Sequence, residues 1–182
     1  MSIGSEDRAV RHPIRPIHVL PLLASALLIP LAMAARAHDN AEAKPVSPIY
    51  GVSLPDGYRQ WELIAPAVES EPLNELRAVV GNSKAMQAYR RGALPFPDGT
   101  VLVKLAWQRT PSSEFAPASI PGPATTVQVM IKDSRKYAAT GSWGFGRFVG
   151  GRPVDEAQHR TCFACHEARV KAHDFVFTRF AP

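Results

Sequence analysis

Cys162-Phe163-Ala164-Cys165-His166 places two thiols three positions apart with an imidazole directly after them, and these are the only cysteines of the chain. Two intervening residues put both sulfurs on one helical turn, a spacing that matches the two vinyl groups of a haem. The thiols add across those vinyls, while the adjacent histidine swings under the ring as proximal iron ligand. Three other readings of the motif are weaker. A redox-active CxxC needs a thioredoxin-like βαβ context, which the sequence lacks. A zinc site needs further ligands, and without a second CxxC these would have to be His159 or His173. A plain short-loop disulfide needs nothing more. The motif reads as the attachment site of one c-type haem, with Cys162 and Cys165 as thioether positions and His166 as iron ligand.

Sixteen residues follow His166, none of them Met. A sixth ligand would therefore come from upstream, from Met86, Met130, His38 or His159. Both methionines read more simply as packing residues. The expectation is an iron with an open or water-filled distal side, suited to binding a small molecule; a six-coordinate iron mainly passes electrons.

The elements that must carry these groups are mostly strands. Thr100 to Gln108 alternates after the turn Pro97-Asp98-Gly99, with Val101, Val103, Leu105 and Trp107 on one face and Leu102, Lys104, Ala106 and Gln108 on the other. A proline-rich loop is expected from Thr110 to Pro123, then strands from Thr125 to Ile131 and from Trp143 to Val149. Leu76 to Val80 reads as a strand, and a helix starting at Asn82 or Ser83 should stop at Gly92. Period does not decide whether Tyr58 to Ala65 is helix or strand. The fold class is α+β, mainly antiparallel sheet with a few helices. Trp143, Phe145, Phe148, Phe163, Phe175 and Phe177 should form core and cofactor walls.

The start of the chain reads as an address. Arg8, Arg11 and Arg15 precede an apolar run from Val19 to Ala35, and Ala35-Arg36-Ala37 offers a cleavage pattern. Residues 1–37 are assigned as a signal peptide, 38–53 as a proline-rich tether and 54–182 as the haem domain. An uncleaved membrane anchor is the alternative, though Pro21 and Pro30 interrupt the run. Either places the remainder outside the cytoplasm, in the periplasm. The 182 residues carry a net charge of +5 with no Lys/Arg block, which gives no case for nucleic acid.

Five segments together resemble the cytochrome P-460 family: LPDGYRQWELIA (Leu54–Ala65), FPDGTVLVKLAW (Phe96–Trp107), IKDSRKYA (Ile131–Ala138), WGF (Trp143–Phe145) and CFACHEARVKAHDFVFTRF (Cys162–Phe180). The resemblance implies a mostly β domain with one c-type haem, periplasmic and homodimeric. It also implies oxidation of hydroxylamine, giving nitric oxide or nitrous oxide, with electrons leaving to an external acceptor. In that family a lysine is bonded to the porphyrin edge, and Lys104 falls at its position. A sister group, cytochrome c′-beta, lacks the link and binds nitric oxide or carbon monoxide.

Gln128 departs from the pattern. Aligned through Lys132-Asp133-Ser134, hydroxylamine-oxidising members carry a Glu there, and an amide cannot act as a general base. It can still hydrogen-bond a ligand in the distal pocket. Turnover would then need Glu114 or Asp133 as a substitute base, and the gas-binding reading gains. Arg77 resembles a family arginine near the haem, where it would pair with a propionate; its alternative is an ordinary surface position.

Overall fold

A computed structural model describes residues 43–181. The signal-peptide residues and the first part of the tether lie outside this range. One antiparallel sheet dominates, six strands joined in sequence order: β1 (Glu62–Glu69), β2 (Glu75–Gly81), β3 (Val101–Pro111), β4 (Ser119–Lys132), β5 (Trp143–Val149) and β6 (Arg152–Pro153). Helix α1 (Ser83–Arg91) connects β2 to β3, and α2 (Glu156–Val170) follows β6. This is the expected α+β architecture. Among the described residues no helix is long and apolar enough to cross a membrane.

Local chemistry sets the helix ends. Asn82 Oδ1 accepts the Ala85 N–H at 2.9 Å, and Gly92 closes α1 in the left-handed region at φ 59°. Asp155 starts α2 in the same way, accepting the Gln158 N–H at 2.9 Å. The ambiguous Tyr58–Ala65 run is both things in turn: a single 3₁₀ turn at Tyr58–Gln60, then the opening of β1.

Two expectations are corrected. The loop drawn from Thr110 to Pro123 is shorter, confined to residues 112–118, because β3 runs to Pro111 and β4 begins at Ser119. Pro121 and Pro123 are tolerated because β5 pairs with β4 only from Val127 on, which leaves this end of β4 an edge, and the β3–β4 register slips between Ala106 and Arg109 beside it. Gly122 is needed at that crossing, since a Cβ would lie 2.3 Å from Thr110 Oγ1. The tether, in turn, is packed over its described end. Val46 bridges Ser53, Tyr50 and Val52 enter the core, and Ser47 Oγ donates to the Phe145 carbonyl at 2.8 Å. A tight turn that buries two side chains leaves no periodicity to read.

The core gathers Ile64, Val103, Val129, Trp143 and Phe148, each at most 1% exposed. Met86, on α1, joins it at 2% exposure. Met86→Ala should cost about 2–5 kcal/mol in denaturant unfolding and leave the visible spectrum of the holoprotein unchanged. A changed spectrum would return Met86 to the list of iron ligands.

Candidate haem site

The middle of the sheet fixes the site by register. Val79 pairs with Lys104, Lys104 with Gln128 and Gln128 with Arg147, so one row of side chains crosses β2 to β5. The next row on that face runs Gly81, Leu102, Met130, Phe145. The alternation expected of β3 is thus correct, but its second face is not solvent: Leu102 and Ala106 are buried and Lys104 is half-buried. α2 sets Cys162, Cys165 and His166 against this face, and the sheet, α2 and residues 176–178 line a cavity of about 620 Å³. Lys104, Gln128, Arg77 and the three motif residues all line it.

His166 is held in one orientation. Its Nδ1 lies 2.7 Å from the Phe175 carbonyl, so Nδ1–H donates and Nε2 keeps its lone pair. The rings of Phe145 and Phe177 flank the imidazole, with centroids 5.0 and 4.9 Å away. Burial lowers its pKa, against the Phe175 hydrogen bond, which raises it. A neutral imidazole with a free Nε2 is what iron ligation requires. Both cysteines are free thiols, and burial raises the Cys162 pKa.

Lys104 carries an amine pushed down to about 8, chiefly by burial and next by Arg77, with Glu75 opposing. At that value roughly a tenth of it is neutral at pH 7, against well under about one in a thousand for an ordinary lysine. Arg77 reaches the cavity already engaged. Its Nε and one terminal nitrogen donate to Glu75 Oε2 at 2.9 and 2.7 Å, and it also pairs with Glu69. Thr125 Oγ1 holds the other Glu75 oxygen at 2.6 Å. Arg77 is therefore neither a plain surface arginine nor a free partner for a propionate.

The remaining candidates separate. His159 is fully buried with both ring nitrogens used: Nδ1 faces the Asp155 carbonyl at 2.8 Å and Nε2 accepts the Arg147 N–H at 3.0 Å. It ties α2 to β5, and iron or zinc ligation would break that tie. His173 Nδ1 is taken by backbone and Arg179. Met130 lines the cavity, in the row of Phe145, one row from Lys104 and Gln128. Glu114 sits exposed between β3 and β4, bonded to Ser113, and Asp133 caps the Arg135 and Lys136 N–H groups. Neither lines the cavity. Glu69 lines the cavity and Glu75 lies behind Arg77, and both are spent on that guanidinium.

Arg147 is the residue that motif reading missed. It lines the cavity, and its Nε is buried without a hydrogen-bond partner. Its only sequence signal was the alternation of β5. A buried donor of this kind calls for an acidic ligand group. Together with two thiols one helical turn apart, an oriented imidazole and aromatic walls, it fits a haem, whose propionates are acidic. The cavity volume lies in the usual range for cofactor sites, about 300–1,000 Å³.

No curated protein matches this chain. The family model Cytochrome P460 matches residues 55–178, a span that holds every cavity residue discussed above. The chain belongs to the cytochrome P460 family, and with it to the haem-binding c-type cytochromes.

Proposed function

We propose that this chain is an exported, periplasmic c-type cytochrome that carries one haem on Cys162 and Cys165 and binds a small nitrogen ligand, hydroxylamine or nitric oxide, at an open iron position. The observation that carries the reading is the convergence of Cys162, Cys165 and the oriented His166 with Lys104 and Gln128 on one cavity. When bound, the haem supplies a redox-active iron able to take such a ligand. The chain's residues do the rest. His166 offers Nε2 to the metal while Phe175 holds its other nitrogen. Lys104 presents a partly neutral amine, and we infer that it would bond the porphyrin edge, as the family resemblance suggests; one N–H and one ring C–H would be lost, with two protons released and two electrons passing to an external oxidant such as a peroxide. Gln128 offers an amide to a ligand but no base.

Binding is therefore favoured over rapid oxidation. Hydroxylamine oxidation would need a proton acceptor and an external electron acceptor, and the resemblance points to a homodimer as the working form. The first is what Gln128 removes. The test is a titration of ferric protein with hydroxylamine and of ferrous protein with nitric oxide, followed by absorbance. The reading expects saturable shifts in both and little turnover with an artificial electron acceptor. A six-coordinate low-spin spectrum that responds to neither ligand would instead make the protein an electron carrier.

A further inference from the structure

The segment after α2 contains two consecutive non-glycine residues in the left-handed region, Asp174 at φ 49° and Phe175 at φ 64°. Such a pair is strained unless its surroundings over-determine it. Here they do. Asp174 Oδ1 accepts from Lys132 Nζ at 2.6 Å and Oδ2 from the Phe96 N–H at 2.8 Å; its carbonyl accepts the Trp143 indole N–H at 2.8 Å. The two charged side chains are only 7% and 10% exposed. Lys132 also donates to the Gly141 carbonyl at 3.2 Å, and its ammonium lies over the Trp143 ring, 5.0 Å from the centroid. Gly141 in turn makes room for Phe175: a Cβ there would come within 2.3 Å of the phenyl ring.

Three of these bonds hold Asp174 and the Gly141 contact seats the Phe175 ring, so together they fix the residue whose carbonyl meets His166 Nδ1 at 2.7 Å. We propose that the buried Lys132–Asp174 pair is a positioning device for His166, holding the Phe175 carbonyl so that Nδ1–H donates strongly and Nε2 becomes a more basic ligand. A bare buried ion pair is weak evidence for stability. This one is placed at the residue preceding the carbonyl acceptor, and a second-sphere acceptor of that kind tunes the metal through its ligand. The inference rests on His166 being the iron ligand, as proposed above.

Asp174→Asn keeps the shape and removes the charge; Lys132→Met removes the partner. In the loaded protein each should lower the ferrous iron–His166 stretching frequency in resonance Raman and raise the reduction potential, because a less basic imidazole stabilises the oxidised iron less. Met86→Ala, a core change on α1 that touches neither charge of the pair, should destabilise the fold and leave both readouts in place. Lys132→Met with Asp174→Leu leaves no unpaired charge inside, so it reports on folded protein even where a single variant does not accumulate. Unmoved frequency and potential in these variants, or equal movement in Met86→Ala, would overturn the proposal. A wild-type protein that binds haem without an iron–histidine band would overturn the ligation reading itself, and this inference with it, before any variant is compared.

Discussion

Lys104→Ala is expected to return the Soret band of the ferrous protein from a strongly red-shifted position to that of an ordinary high-spin haem. The expectation follows from where the amine stands. β3 is the central partner of both β2 and β4, and Lys104 lies in the row between Val79 and Gln128, facing the cavity that also holds Cys162 and His166. Burial removes water from the ammonium and depresses its pKa to about 8, so the neutral nucleophilic form is accessible near neutrality. Below that pKa the neutral fraction rises about tenfold per pH unit. Loaded protein treated with a peroxide as two-electron oxidant at pH 8.5 should therefore give more linked product than the same treatment at pH 6.5. Identical high-spin spectra for wild type and Lys104→Ala would leave the amine unbonded, and the gas-binding reading would stand without it.

Gln128→Glu should confer hydroxylamine turnover that the wild type lacks or performs slowly. The new carboxylate would stand next to Lys104 in the same cross-strand row, on the cavity. A positioned general base contributes typically about 10²–10⁴-fold, so the gain in rate should be of that order. Among the described residues no other carboxylate is placed to do this: Glu114 and Asp133 sit at turns, and Glu69, on the cavity, and Glu75 are held by Arg77. Nitric oxide binding to the ferrous protein should persist in the variant, which separates loss of the pocket from loss of chemistry. Equal turnover in both proteins would show that the reaction does not depend on a base at this position.

The residues that do chemistry were largely legible because their types are rare and their spacing is short-range. Cys162, Cys165 and His166 sit within one and a half helical turns, and the alternation of β3 and β4 already put Lys104 and Gln128 on defined faces. What stayed hidden was long-range. Nothing near His166 in sequence says that the Phe175 carbonyl will turn back to meet its Nδ1, since that depends on two left-handed residues locked by Lys132 and Trp143 from other elements. Arg77 failed for a more local reason: its type suggested a propionate, but its partners Glu69 and Glu75 lie in its own β1–β2 hairpin, eight and two positions away. The buried turn at Tyr50 and Val52 has no period at all. Proline count misled in the β3–β4 region because an edge beside a register slip tolerates what a regular ladder would not.

The central claim is that Cys162 and Cys165 carry one haem, and it is tested most directly by the intact mass of the protein under denaturing conditions after expression in a host that matures c-type haem. The account predicts a chain heavier by one haem, and loss of that increment in Cys162→Ser with Cys165→Ser. A haem that dissociates on denaturation, or a chain lighter by two hydrogens from a Cys162–Cys165 disulfide, would contradict it.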